Sequence, residues 1–167
     1  MTKLSEYDIK NAKDVKVYTD GACSPNPGIG GWGAVFHNEV NGKIIEISGA
    51  TEKSTNNVME ITAVVNALDF LLERTGPQFV RVYSDSKYML NGITNWIHKW
   101  KKNHWLLSSG DPVKNRELWQ RLDELRSLHK IVVFEYVPAH KGHEFNERAD
   151  DLAVTARKRL AAEIGGN

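Results

Sequence analysis

The feature that most constrains this chain is the order of its hydrophobic periods. Three strand-like segments come first and follow one another directly: VKVYTDGAC, WGAVFHNEV and KIIEISGATE. SPNPGIGG, dense in Pro and Gly, reads as turn chemistry between the first two. Asn41-Gly42 is a two-residue hairpin signal between the second and third. After that, no two strand-like runs are adjacent. Residues 58–72 place Ile61, Val64, Val65, Leu68, Leu71 and Leu72 at helical spacing on one apolar face, ended by Gly76-Pro77. FVRVYS reads as a buried parallel strand. SKYMLNGI and TNWIHKWKK read as two short helices, SSGDP as a break, NRELWQRLDELRSL as an amphipathic helix, IVVFEYVP as a strand and AHKGHE as a loop. A last helix over about residues 146–162 carries Ala149, Leu152, Ala153, Ala156 and Leu160 on its apolar stripe. Strands joined by tight turns pair antiparallel, and strands reached through helices pair parallel. The order βββ-α-β-α-α-α-β-α therefore predicts an α/β fold. It is one mixed five-stranded sheet, three antiparallel strands then two parallel, flanked by helices.

A chain of 167 residues supplies one domain of this kind without staples. The expectation is a single domain over residues 15–163, preceded by a loosely ordered extension over residues 1–14. Cys23 is the sole cysteine, so no internal disulfide can form, which fits a reducing compartment. No apolar run approaches the roughly 20 residues of a membrane helix, and MTKLSEYDIKNAKD holds no signal-peptide core. A cytoplasmic monomer with no membrane partner is expected. The net charge of +1 argues against a histone-like binder that works by bulk charge. A local patch remains: residues 94–116 carry Lys99, Lys101, Lys102, Lys114 and Arg116 against Asp111 alone.

Four acids stand out by placement rather than by type. Singly, each has an ordinary explanation. Asp20 precedes Gly as turn acids do. Glu60 follows Asn57 by three residues, as in a capping box. Asp85 sits before a helix, as an N-cap does. Asp150, beside Asp151, reads as a solvated helix acid. Together, Asp20 and Asp85 fall near the C-terminal ends of apolar strands, the edge where α/β sheets collect their sites. Glu60 opens a helix packed on the same sheet, and Asp150 flanks the apolar stripe of the last helix, one turn after Asn146. Clustered carboxylates repel and persist only with a compensating cation. Oxygen-only ligands suit Mg²⁺ or Mn²⁺, and paired hard cations serve phosphodiester displacement.

YTDGACSPNPGIGGWG, TNNVMEITAVVNAL, VYSDSKY and VPAHKGHEFNERADDLA, in that order between residues 16 and 159, resemble the type 1 ribonuclease H family. The resemblance implies the ribonuclease H fold and hydrolysis of the RNA strand of RNA–DNA hybrids by a two-metal-ion mechanism, leaving a 5′-phosphate and a 3′-hydroxyl. It implies two Mg²⁺ per site, with Mn²⁺ as an alternative. Asp20, in the DG motif, looks like the ligand shared by both ions. Glu60 of ME and Asp85 of SDS look like further ligands, and Asp150 of NERAD, not Asp151, like the fourth acid. His140 resembles the family's mobile histidine, tied to proton movement or product release, and Asn146 lies close by analogy. Cys23, Asn26, Asn56 and Lys87 carry over as substrate contacts; the family often has Gln at the Lys87 position, so a phosphate contact is the alternative there. Thr55 and Trp96 look like parts of the channel for the DNA strand. TNWIHKWKKNHW resembles the basic protrusion of the bacterial enzymes. Its Lys99, Lys101 and Lys102 fit a ridge that grips phosphates, while Trp100 and Trp105 fit core packing equally well. The 2′-hydroxyls would mark the RNA strand, and reading shape and sugar rather than base edges implies little sequence preference.

Other readings use the same residues. Gly28, Gly30, Gly33 and Val35 match a kinase phosphate loop, but no strand lysine, H-R-D or D-F-G follows. A dinucleotide site fails because these glycines lead into a strand. They are expected instead to permit a tight turn and close approach of the backbone to nucleic acid. His140 and His143 form H-x-x-H without helix or cysteine partners for zinc. A non-catalytic hybrid-binding module would keep the basic ridge and lose acids, and here all four acids are present.

Overall fold

The computed structural model describes residues 15–38, 42–139 and 142–165. The expected N-terminal extension, Asn41 of the hairpin signal and His140 lie outside the described residues. The strands are β1 (Val15–Cys23), β2 (Gly28–His37), β3 (Ile44–Ser54), β4 (Phe79–Ser84) and β5 (Ile131–Tyr136). The helices are α1 (Asn56–Thr75), α2 (Lys87–Asn91), α3 (Ile97–Lys102), α4 (Arg116–Leu128) and α5 (Glu144–Gly165). The sheet order is β3-β2-β1-β4-β5. β1, β2 and β3 pair antiparallel, and β4 joins β1 and β5 in parallel. This is the mixed five-stranded sheet that the order of periods requires.

Alternation sorts the sheet into two faces. On one, Val17, Phe36, Val80 and Val82 meet Ile61, Val64 and Leu68 of α1 and Trp119 and Leu122 of α4. On the other, Tyr18 and Val35 meet Ala149 of α5. Helix α1 begins where Thr55 accepts a hydrogen bond from the Val58 amide at 3.1 Å. It ends at Gly76, whose φ of 79° no β-carbon favours and whose amide donates to the Leu72 carbonyl. The two short helices expected over residues 86–102 are one run. A π-helical turn over Gly92–Trp96 links α2 to α3. Gly92 is needed there because a β-carbon would lie 2.1 Å from the buried Trp119 ring.

One expectation is corrected. The SPNPGIGG segment does not turn throughout: Gly28 already starts β2. Gly31 and Gly33 serve a close approach to helix α5 rather than to nucleic acid. A β-carbon at Gly31 would stand 2.1 Å from the Ala153 carbonyl oxygen, and one at Gly33 2.6 Å from that of Ala149. Helix α5 can rest its backbone on β2 only because those side chains are missing.

Candidate active site

The register of the parallel strands places the first two acids. Tyr18 of β1 pairs with Tyr83 of β4, and their rings stack at 4.7 Å. Asp20 and Asp85 each lie two residues beyond that pair, so the two strands deliver them side by side at one edge of the sheet. Glu60 arrives from α1, which can come this near because Gly21 follows Asp20. A β-carbon at Gly21 would lie 2.5 Å from the Glu60 amide nitrogen. One carboxylate oxygen from each of Asp20, Glu60 and Asp85 lies within 4.8 Å of the others.

The ordinary explanations for these acids fail one by one. Asp20 sits inside β1, opposite Gly33, and accepts from the Gly21 amide at 2.9 Å. Glu60 is not a capping acid, because the cap of α1 is Thr55 and Glu60 is buried a full turn inside the helix. Asp85 is not the cap of α2. Ser86 is, accepting from the Met89 amide at 3.1 Å. Asp150 is half-buried and its charge acts on Asp20, whereas Asp151 is exposed.

Burial and mutual repulsion then set the electrostatics. The Asp20 carboxyl is pushed up to about 7, first by burial and further by the charges of Asp85 and Asp150, against the opposing hydrogen bonds of Glu60 and the Gly21 amide. Glu60 is held well above the usual carboxylate range, again by burial first and then by the charges of Asp20 and Asp85. One Glu60 oxygen, Oε1, is buried without a hydrogen-bond partner. A buried carboxylate oxygen left unpartnered among acids is costly, and a hard divalent cation ligated by these oxygens would satisfy it. The donor set fits such an ion. Asn146, 3 % exposed on α5 one turn before Asp150, also leaves its Oδ1 without a partner.

Beside the acids, three of the expected substrate residues form one network. The Asn56 carboxamide oxygen accepts from the Cys23 amide at 2.7 Å, and the Asn56 amide donates to Asn26 Oδ1 at 3.2 Å. Asn26, Thr55 and Asn56 line a cleft of about 400 Å³ together with Tyr88, Lys114 and Asn115. Sequence reasoning did not single out Tyr88 or Asn115 for this cleft. The available signal was Asn115 at the start of α4, where its φ of 61° is a conformation asparagine tolerates. On the other flank, the exposed Lys87 ammonium stands 5.4 Å over the Tyr136 ring.

The basic segment is partly core. Trp100 packs 5.4 Å from buried Trp119 and 6.2 Å from Trp105, while Trp96 is 41 % exposed against Tyr88. Lys99 and Lys102 are exposed and line an open groove with Trp100 and His104. Lys101 is tied to Asp123, Nζ to Oδ2 at 2.9 Å. His143, of the H-x-x-H pair, lies 5.0 Å from the Tyr18 ring.

Fold and site together define a class: a mixed α/β domain that presents, at the ends of parallel strands, a carboxylate cluster that could hold a metal ion. Residues 12–158 match the RNase H family. A Ribonuclease H of Mesorhizobium japonicum is 51 % identical over 142 residues, 85 % of this chain and 77 % of that protein. One of Chromobacterium violaceum is 50 % identical over 139 residues, 83 % of this chain and 91 % of that protein. The crystal structure of LC9-RNase H1, a type 1 RNase H with the type 2 active-site motif, superposes with a TM-score of 0.75. It is 31 % identical, covering 86 % of this chain and 72 % of that one. The chain belongs to the ribonuclease H family.

Proposed function

We propose that this protein is an endonuclease that hydrolyses the RNA strand of RNA–DNA hybrids with two Mg²⁺ ions, leaving 5′-phosphate and 3′-hydroxyl ends, with little sequence preference. The observation that carries the reading is the convergence of Asp20, Glu60 and Asp85 with a buried, unpartnered Glu60 oxygen, in a chain of the ribonuclease H family.

Asp20, central and most constrained, would be the ligand shared by both ions, with Glu60, Asp85 and Asp150 completing the set. When bound, the ions would supply an activated water and a stabilised leaving 3′-oxygen. The protein's own groups do the rest. Burial of Asp20 and Glu60 keeps the acids poised to exchange a proton for a cation. The Cys23–Asn56–Asn26 network fixes small polar groups and main chain beside the acids, where they can read 2′-hydroxyls. The cleft lined by Thr55 and Asn56 would receive a phosphate of the DNA strand, and Trp96, against Tyr88 of that cleft, would form part of the same channel. Lys99 and Lys102, and Lys101 once released from Asp123, would grip the duplex further out. Lys87 on the opposite flank would contact a phosphate, Asn146 would support the fourth acid, and His140 would assist proton movement or product release.

No helix among the described residues is long and apolar enough to cross a membrane, and the sole cysteine needs no oxidising compartment. Both support a cytoplasmic enzyme, and one domain holding all four acids supports a working monomer.

The test is cleavage of an end-labelled RNA–DNA hybrid with Mg²⁺ and with chelator, beside duplex DNA and duplex RNA. Metal-dependent cutting of RNA in the hybrid alone is expected. Absence of cutting by the wild-type chain, or full activity in Asp20→Asn, overturns the proposal.

A further inference from the structure

Helix α5 carries a guanidinium that the acid site leaves unused. Arg157 follows Asp150 by seven residues. Seven residues bring a helix back to within about 20° of the same face and advance roughly 10 Å along it. Arg157 therefore stands on the same side of α5 as the fourth acid, two turns further on. Arg159 does not share that side, because each residue turns the helix by about 100°, and it lines a separate pocket with Ser48 of β3 and Glu163.

The stem of Arg157 is laid on the strand end that bears the site. A β-carbon at Gly31 would stand 2.8 Å from the Arg157 amide nitrogen and 3.1 Å from its β-carbon. Gly31 pairs across the sheet with Ala22, and Gly30 with Cys23, just beyond Asp20. The Arg157 Nε is buried without a hydrogen-bond partner. Arg81, Arg121, Arg126 and Arg148 each pair with an acid, and among the described residues no carboxylate pairs with Arg157. A buried donor left unpartnered is costly, and the planar fork of an arginine matches a phosphate.

The face of the sheet decides which strand Arg157 meets. Helices α1 and α4 pack on one face and α5 on the other. Asn56 opens α1, and Asn115 precedes α4. Their cleft and Arg157 thus flank the acids from opposite faces of the sheet. A duplex with one strand over that cleft offers the phosphates of its other strand, the one lying on the acids, to α5. We propose that Arg157 holds a backbone phosphate of the strand that is cut, to the α5 side of the scissile linkage. The proposal rests on the hybrid-cleavage reading. Arg157 anchors that strand and takes no part in the chemical step.

Two measurements test it. The first is fluorescence anisotropy of a labelled RNA–DNA hybrid in chelator, over a range of salt. Arg157→Gln should weaken binding about fivefold and lower the salt slope by about one counterion, with Tm unchanged, while Arg157→Lys should keep the slope. The second uses a cut strand with a short ribonucleotide block in DNA, which fixes the cleavage site, and single neutral methylphosphonate linkages walked along the deoxyribonucleotide parts of both strands. One linkage in the cut strand should lower kcat/KM of the wild-type chain about fivefold and leave Arg157→Gln unaffected. Equal binding by Arg157→Gln, or weaker binding with an unchanged salt slope, overturns the contact. A sensitive linkage found only in the complementary strand overturns the strand assignment. A wild-type chain that binds the hybrid without cutting it overturns the cleavage reading instead, and the anisotropy arm then still decides the contact.

Discussion

Replacing Asp20 with asparagine should make the metal-free protein more stable, and the gain should grow with pH. Asp20 has a carboxyl raised from 3.8 to about 7 in the folded state, first by burial and then by Asp85 and Asp150. Below pH 4 both folded and unfolded chains hold the proton, and the group costs nothing. Between pH 4 and 7 the unfolded chain loses its proton while the folded chain keeps it, so stability falls as pH rises. Above pH 7 the folded chain bears the full cost. At about 1.4 kcal/mol for each tenfold, a rise of this size corresponds to roughly 4 kcal/mol. Glu60, whose carboxyl burial and the charges of Asp20 and Asp85 also push upward, shares that repulsion, which leaves roughly 2–4 kcal/mol for Asp20 alone. For a domain of this length that is a Tm rise of about 5–12 °C. Asparagine keeps the shape and cannot ionise, so the difference in Tm between variant and wild type isolates this one group from all other titrations. Thermal unfolding followed by circular dichroism in chelator at pH 4, 6 and 8 reads it directly. A gap near zero at pH 4 that opens by pH 8 is the expected result. A gap independent of pH, or a variant less stable at pH 8, would refute the electrostatic account of the site.

Gly31→Ala should cost at least about 2 kcal/mol in urea unfolding, since its β-carbon would stand 2.1 Å from the Ala153 carbonyl; a neutral result would contradict the close seating of α5 on β2. Lys102→Ala should lower the slope of hybrid affinity against salt by about one counterion, and Lys101→Ala by less, because Lys101 already pairs with Asp123; equal slopes would show that the pair opens freely on binding. The buried His129 accepts from the Gln78 amide and has its other nitrogen 2.8 Å from the Leu68 carbonyl. Burial lowers its pKa below 6.5, so its stabilising contribution is present above pH 6.5 and lost as acid protonates it. Titration of the imidazole by ¹⁵N NMR should find it still neutral below that pH, and a midpoint at or above 6.5 would refute the reading.

The hydrophobic periods of this chain were enough to place every strand and helix in order, because a strand's alternation and a helix's stripe are written within a few residues. Asp20 and Asp85 could be read as strand-end acids for the same reason, whereas the choice of Asp150 over Asp151 rested on the resemblance of NERAD to the family's motif. What local pattern could not supply was the identity of each cap. Thr55 and Ser86, by taking the capping work, release Glu60 and Asp85 for another use, and that division shows only when amide partners are known.

The glycines mark the same boundary. In sequence, Gly21, Gly31 and Gly33 look like turn residues or a phosphate loop. In the fold they are the places where α1 and α5 touch strands far from them in the chain. Backbone proximity between distant segments leaves no periodic trace, so sequence by itself determined the elements and their order and singled out four acids as candidates. The tertiary structure alone decided that three of those acids converge on one spot, two of them buried and Asp85 half-buried. It did so because parallel register and missing β-carbons, not composition, set how near two segments can come.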